Sequence, residues 1–317
     1  MVDVETFRAL ARSSPWLWSS IQLTRTMIGQ ENDERVRAWI RRPGLMRVEP
    51  EGGVATVIHE SRDAGRGGAG LGTMARGRAR YSDAEPDRPR SVASRLFGWS
   101  AYVSMGAAEP GVVDPHDDAA GAPTGEAEFR TPQDPLAPQP VWRDDGLVAT
   151  RADGFTVEYD DPMYVNYLWV AMLDPLELAD GIEHDDGGLP DDGGLADDGG
   201  LADDGVRPPG VEVLELTESL RHGRPTLDVL VRPTAHYNPR CTCCALLFSE
   251  VTARLLREEG VPLPEPMPVF PDAHRVSLDR RTGICVELRD VGGDRDGVGF
   301  GVVIEEVDAV YTDALFG

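Results

Sequence analysis

Residues 211–232 read VEVLELTESLRHGRPTLDVLVR, and their alternation decides the class of fold. Val211 and Val213 open a strand expected over 211–216. After the turn pair His222-Gly223, a second strand over 226–232 sets Leu227, Val229 and Val231 on one side. Successive side chains of a strand point to opposite faces, so an apolar residue at every second position marks a half-buried antiparallel sheet. The pattern continues outward. Residues 274–288, HRVSLDRRTGICVEL, read as a hairpin with Gly283 in its connection, where positive φ is needed. Residues 298–307 give a last strand, followed by an apolar tail through Phe316 that a core would hold. Between these strands, residues 244–256 read as one amphipathic helix.

Toward the N-terminus, Asp3 is suited to cap a helix whose stripe is Val4, Phe7, Leu10 and Ala11, with Pro15 ending it. Strands are expected over 16–27, over 36–41, through Met46 and Val48, and over 54–59. Arg42-Pro43-Gly44-Leu45 and Gly52-Gly53 supply turns, so the series is a meander rather than a βαβ unit. Residues 61–91 then shift to Arg, Gly, Asp and Pro. The GRGGAG at 65–70 has dinucleotide-loop spacing, but the helical stripe such a loop must open does not follow it. Strand character returns over 96–105, before a second Pro/Asp/Gly-rich stretch. A hairpin is expected from 147–150 and 155–159, turning at Asp153-Gly154. A helix is expected over 160–173, restarting at Asp174-Pro175 with Glu177 closing a capping box. Residues 185–205 repeat DDGGL(P/A) at a period of six. That period does not match the nine-residue calcium-binding repeat, so the stretch reads as a disordered acidic insertion. The whole is expected to be one α+β domain over 1–317, with insertions at about 61–91, 107–140 and 183–209.

Composition removes several classes of function. All 31 basic residues are Arg, and without Lys the chain has no Schiff-base amine, P-loop lysine or Ser-Lys dyad. The net charge of −24 argues against nucleic acid or an anionic membrane as the main partner. No apolar run reaches 18 residues, and the first thirty residues lack a secretory-signal pattern, so a cytoplasmic protein with no transmembrane segment is expected. No catalytic set of Ser/His/Asp, paired carboxylates or phosphate loop can be nominated. A non-enzymatic role is therefore the expectation.

One local cluster carries chemistry: His236-Tyr237-Asn238-Pro239-Arg240-Cys241-Thr242-Cys243-Cys244. Thiolates beside an imidazole are zinc ligands by type, which nominates His236, Cys241, Cys243 and Cys244. A second reading makes one thiol reactive, because a helix N-terminus and Arg240 both favour thiolate. A third packs the cysteines as small apolar groups, with no cofactor. Cys285 stands apart, on a distant strand.

Taken in order, VRAWIRRPGLMRVE at 36–49, Asp174-Pro175 before Leu178-Ala179, RPTLDVLVRPTA at 224–235, the 274–288 hairpin and the terminal ALF resemble the lipoprotein-carrier (LolA-like) superfamily and its uncharacterised actinobacterial relatives. The resemblance covers about 3–58 and 147–316. It implies a curved antiparallel half-barrel whose concave face is covered by helices, and which holds an apolar ligand such as a lipid acyl chain or a peptide. Those carriers bear a signal peptide that is not read here, so lipoprotein shuttling is not carried over. Candidate lining residues are Trp16, Trp18, Trp39, Phe97, Trp99, Tyr164, Tyr167 and Trp169. The alternatives are the Cys/His-centred metal or redox site, and an interaction protein that meets its partner through the acidic loops.

Overall fold

The computed structural model describes residues 2–29, 34–59, 132, 136–155, 157–183 and 207–317. Nine strands form one open, wholly antiparallel sheet in two abutting meanders. The first meander steps outward from β1 (Ser20–Ile28) through β2 (Arg35–Arg41) and β3 (Leu45–Pro50) to the edge strand β4 (Thr56–His59). The second begins at the opposite edge. It runs inward from β7 (Val211–Arg221) through β8 (Arg224–Pro233), β9 (Ala273–Asp279) and β10 (Cys285–Val291) to β11 (Gly299–Val307). Pairing of β1 with β11 joins the two, so the first and last strands lie side by side within the sheet.

One face of this sheet is dry. Register brings Ile21 opposite Ile40, Leu23 opposite Ala38 and Ile304, and Leu288 opposite both Phe300 and Val276. All of these are buried, as are Met46, Val48, Leu227, Val229 and Val231. Each such side chain contributes about 1.5–3 kcal/mol when buried, and a one-residue slip would turn the whole set to solvent. The opposite face carries polar pairs instead: Gln22, Thr24 and Arg37 on Glu305, and Arg221 on Asp228. The α+β character with a mostly antiparallel sheet follows directly from this alternation. The hairpins at 222–223 and 283 also stand where the turn residues place them, with Gly223 and Gly283 at φ of 76° and 71°. The C-terminal tail docks through buried Phe316, whose carbonyl accepts from His59 Nε2 at 3.0 Å.

Outside the sheet, several expectations need correction. Helix α1 (Val4–Leu17) is capped by Asp3, whose Oδ1 accepts from Thr6 N at 2.8 Å, but it continues past Pro15. Arginines serve the carbonyls around its end: Arg42 Nη1 donates to Pro15 O at 2.8 Å and to Trp18 O at 2.7 Å, and Arg151 Nε donates to Arg12 O at 2.8 Å. Trp16 and Trp18 therefore belong to this helix end and its cap, not to a strand over 16–27. The partner of β6 (Val148–Thr150) is β5 (Val141–Trp142), turning through Gly146 at φ of 80°, while residues 157–159 form a 3-10 turn. The helix expected over 160–173 is only α2 (Leu168–Leu173). Pro162 and the positive φ of Val165 interrupt the segment, and its leading carboxylates are drawn into ion pairs. No capping box forms at Asp174. A 3-10 turn, Leu176–Leu178, follows Pro175, and both acids are engaged elsewhere. Finally, the helix expected over 244–256 is α3 (Glu250–Glu258). The strand expected over 96–105, the 65–70 glycine motif and the 185–205 repeat lie outside the described residues, as do most of the three proposed insertions.

Candidate functional site

The three thiols at 241, 243 and 244 converge on a single turn. Thr242–Cys244 is one turn of 3-10 helix in which Cys244 N donates to Cys241 O at 3.2 Å. Cys241 Sγ lies 3.1 Å from Cys243 Sγ, which lies 3.8 Å from Cys244 Sγ, and all three sulfurs fall within 4.8 Å of one another. The turn is half-buried and clamped on both sides. Before it, the Arg240 guanidinium is tied to Asp160 and Asp174; after it, Leu246 N donates to Glu177 and Leu247 N to Tyr237 Oη. Thr242 Oγ1 adds a bond to Glu259 at 2.7 Å.

Contact among the sulfurs divides their protons unequally. Hydrogen bonds from Cys241 and Cys244 hold the Cys243 thiol down to about 3, far below its ordinary value, while the same bonds raise Cys241 and Cys244. The cause is not the one expected from sequence. The turn lies ahead of α3, whose N-terminus is closed by a Ser249/Thr252 capping box, and Glu259 at the far end of that helix opposes the Cys243 charge. Arg240 does not assist either, since its guanidinium faces carboxylates.

The other nominated ligands are separate. His236 turns Nδ1 to the Ile182 carbonyl at 3.2 Å and is not among the converging ligand atoms. Cys285 is fully buried at a bulge in β10; burial raises its thiol, and its Sγ donates to Glu287 O at 3.4 Å.

Beside the turn lies a lattice of buried charges that sequence reasoning missed. Arg42 makes a two-point contact with Asp161 at 2.8 and 2.7 Å, and Arg151 grips both oxygens of Asp174. Arg240 bridges Asp174, at 3.0 Å, and Asp160, whose other oxygen accepts from Tyr167 Oη. Burial alone would raise the Asp174 carboxyl, but Arg151 and Arg240 hold it below its ordinary value. Glu177 accepts from Tyr237 Oη, Arg240 N and Leu246 N, yet its burial still raises it. The available signal was carboxylates flanking an apolar run, as in Asp160-Asp161-Pro162 and Asp174-Pro175.

The aromatic residues nominated as a lining do not share one surface. Trp18 is buried beneath the Arg42 guanidinium, 3.3 Å from its ring centre. Trp169 is buried beneath Arg25 at 4.3 Å, with Tyr164 edge-on at 5.8 Å, and Tyr167 belongs to the charge lattice. Trp16 packs against Trp142 and Phe155, whereas Trp39 lies on the polar face beside Arg37. Phe97 and Trp99 fall outside the described residues. Among the described residues, an open depression lies beside Trp142, Arg143, Asp144 and Asp145, and a cleft of about 10 Å³ is bordered by Arg221, Asp279, Val286, Val302 and Ile304.

No family model, curated protein or solved structure matches the chain. Among the described residues, no helix is long and apolar enough to cross a membrane. Functional inference therefore begins from the turn itself.

Proposed function

We propose that this protein binds a soft metal ion, zinc foremost, through Cys241, Cys243 and Cys244. The observation that supports this is the convergence of three Sγ atoms within 4.8 Å on one clamped turn. Thiolates are the preferred donors of zinc and of other thiophilic ions. Zinc–sulfur bonds of about 2.3 Å at tetrahedral angles put the sulfurs about 3.8 Å apart. Cys243 and Cys244 already stand at 3.8 Å, and Cys241 has to retreat by only about 0.7 Å from its 3.1 Å contact. Solvent completes the shell, because the turn is only half-buried. Thiols must release their protons to bind the ion, so affinity increases with pH.

The test is a native mass spectrum of the purified chain set against its denatured mass. One zinc in excess, lost on chelation and missing from a Cys243→Ser/Cys244→Ser variant, is the expected result. Unchanged metal content in that variant would refute the reading.

A second reading, an acyl or peptide ligand on the apolar face of a sheet curved into a half-barrel, is favoured by Arg25. This buried side chain lies on the dry face between Val36 and Val302. Burial lowers it to about 10, its Nε has no partner among the described residues, and Glu34 approaches only to 3.9 Å. A fatty-acid carboxylate suits such a group. On this reading the same spectrum shows an excess mass matching an acyl chain, and Arg25→Met removes it.

A further inference from the structure

The spacing of the three thiols also bears on what regulates them. We infer that the turn is a peroxide-responsive thiol switch in which Cys243 is the attacking sulfur and Cys241 the resolving one. The release of an ion by this switch rests on the metal-binding reading above; the thiol chemistry does not.

Cys243 is central in the cluster, touching Cys241 at 3.1 Å and Cys244 at 3.8 Å, and it is open enough to solvent for a small hydroperoxide to reach it. Both neighbouring sulfurs stand close enough to donate S–H hydrogen bonds to an anionic sulfur at that position, the form such an attack requires. In the first step the Cys243 sulfur bonds to one peroxide oxygen and the O–O bond breaks. The sulfur loses two electrons and becomes a sulfenic acid, while the other oxygen leaves as hydroxide or alkoxide and takes up a proton. In the second step Cys241, having given up its proton, attacks the Cys243 sulfur. The S–S bond forms, the S–O bond breaks, and the departing oxygen leaves as water. Two thiols and one hydroperoxide thus give one disulfide, one alcohol or water, and one water.

Chain geometry selects Cys241 over Cys244 as the resolving partner. Adjacent residues on a trans peptide have Cα atoms about 3.8 Å apart, shorter than the roughly 4.4–6.8 Å that a disulfide spans. Linking Cys243 to Cys244 would force the peptide between them out of its plane, whereas one intervening residue spares the Cys241–Cys243 pair that distortion. Resolution by a sulfur already in contact also protects Cys243 from further oxidation. Once the bond closes, Cys244 is left as the single free sulfur of the turn, too few donors for the ion. Oxidation therefore empties the site, and a dithiol reductant restores it.

The experiment treats the full chain, metal-free and zinc-loaded, with hydrogen peroxide. Intact mass, peptide mapping and a zinc-sensing dye are followed together. The metal-free chain is expected to lose two hydrogens and to yield a 241–243 linked peptide. Cys244→Ser should still close the bond. Cys241→Ser should stop at a sulfenic acid trapped by a 1,3-diketone, and Cys243→Ser should slow peroxide consumption at least about tenfold. In the loaded chain, one zinc should leave per disulfide formed. A link to Cys244 or Cys285, or loss of closure in Cys244→Ser, would overturn the assignment, and a disulfide that keeps its zinc would overturn the release. A chain that closes the 241–243 bond yet never takes zinc would confirm the thiol step and refute the metal-binding reading alone.

Discussion

Arg240 and Cys241 are neighbours in the chain and belong to opposite regimes. On one side of that peptide, Arg42, Arg151 and Arg240 are matched to Asp160, Asp161 and Asp174 in a lattice shut away from water. On the other, three half-buried thiols have mainly one another as partners. Buried charges on this scale are tolerated only when fully paired, and the pairing fixes the segments that carry them. The lattice joins the end of α1, the approach to α2 and the start of the cysteine turn. The turn inherits that rigidity without being consumed by it. Stability and chemistry are thus separated by a single peptide bond.

The largest effect should come from breaking the lattice. Arg240→Ala leaves two buried carboxylates short of a cation and should lower stability by about 3–5 kcal/mol in a denaturant titration. A loss under about 1 kcal/mol would mean the region is wetter than described. Tyr237→Phe removes the hydroxyl that donates to Glu177 and accepts from Leu247 N, at an expected cost of about 1–3 kcal/mol by the same measurement.

Acid should weaken the lattice in a defined direction. Asp174 is held below its ordinary value of 3.8 when folded, so its stabilising charge is complete above that pH and is lost as pH falls through the lower folded value. Glu177 acts oppositely: raised above 4.5 by burial, it favours the folded state when protonated and detracts from stability as pH rises past 4.5. Asp174→Asn should therefore be less stable near neutrality and show a flatter acid limb in stability measured from pH 5 down to pH 2. An acid limb as steep as that of the unmodified protein would place the titration elsewhere.

The smallest change in stability should attend the turn. Cys243→Ser is expected to shift unfolding by no more than about 0.5 kcal/mol while weakening metal uptake. A loss of several kcal/mol would make the cysteines packing residues after all.

Much of the sheet could be read in advance because period two is written locally. Leu227, Val229 and Val231, or Ala38 and Ile40, announce their face without reference to any distant segment. The pairing of β1 with β11 could not be read that way, because nearly the whole chain separates them. Residues 160–178 misled for a physical reason. Their apolar spacing suits a helix, but Asp160, Asp161 and Asp174 take their conformation from arginines far away in sequence. The cysteine motif was visible as a motif. Its setting was not, because Ala245, Leu246, Leu247 and Phe248 extend the apolar pattern of α3 backward, while the Ser249/Thr252 cap sets the true start of the helix. His236 looked like a fourth ligand from proximity in sequence, and the Ile182 carbonyl claims it instead.

A cadmium titration under reducing conditions tests the thiol site most directly, because the thiolate-to-metal charge-transfer band counts the sulfurs bound. The unmodified chain should saturate at one ion with a band of three-thiolate intensity, falling by about one third in Cys241→Ser or Cys244→Ser. A chain whose thiols are free and reduced, yet which gives no such band or one of the same intensity after either substitution, would contradict the site.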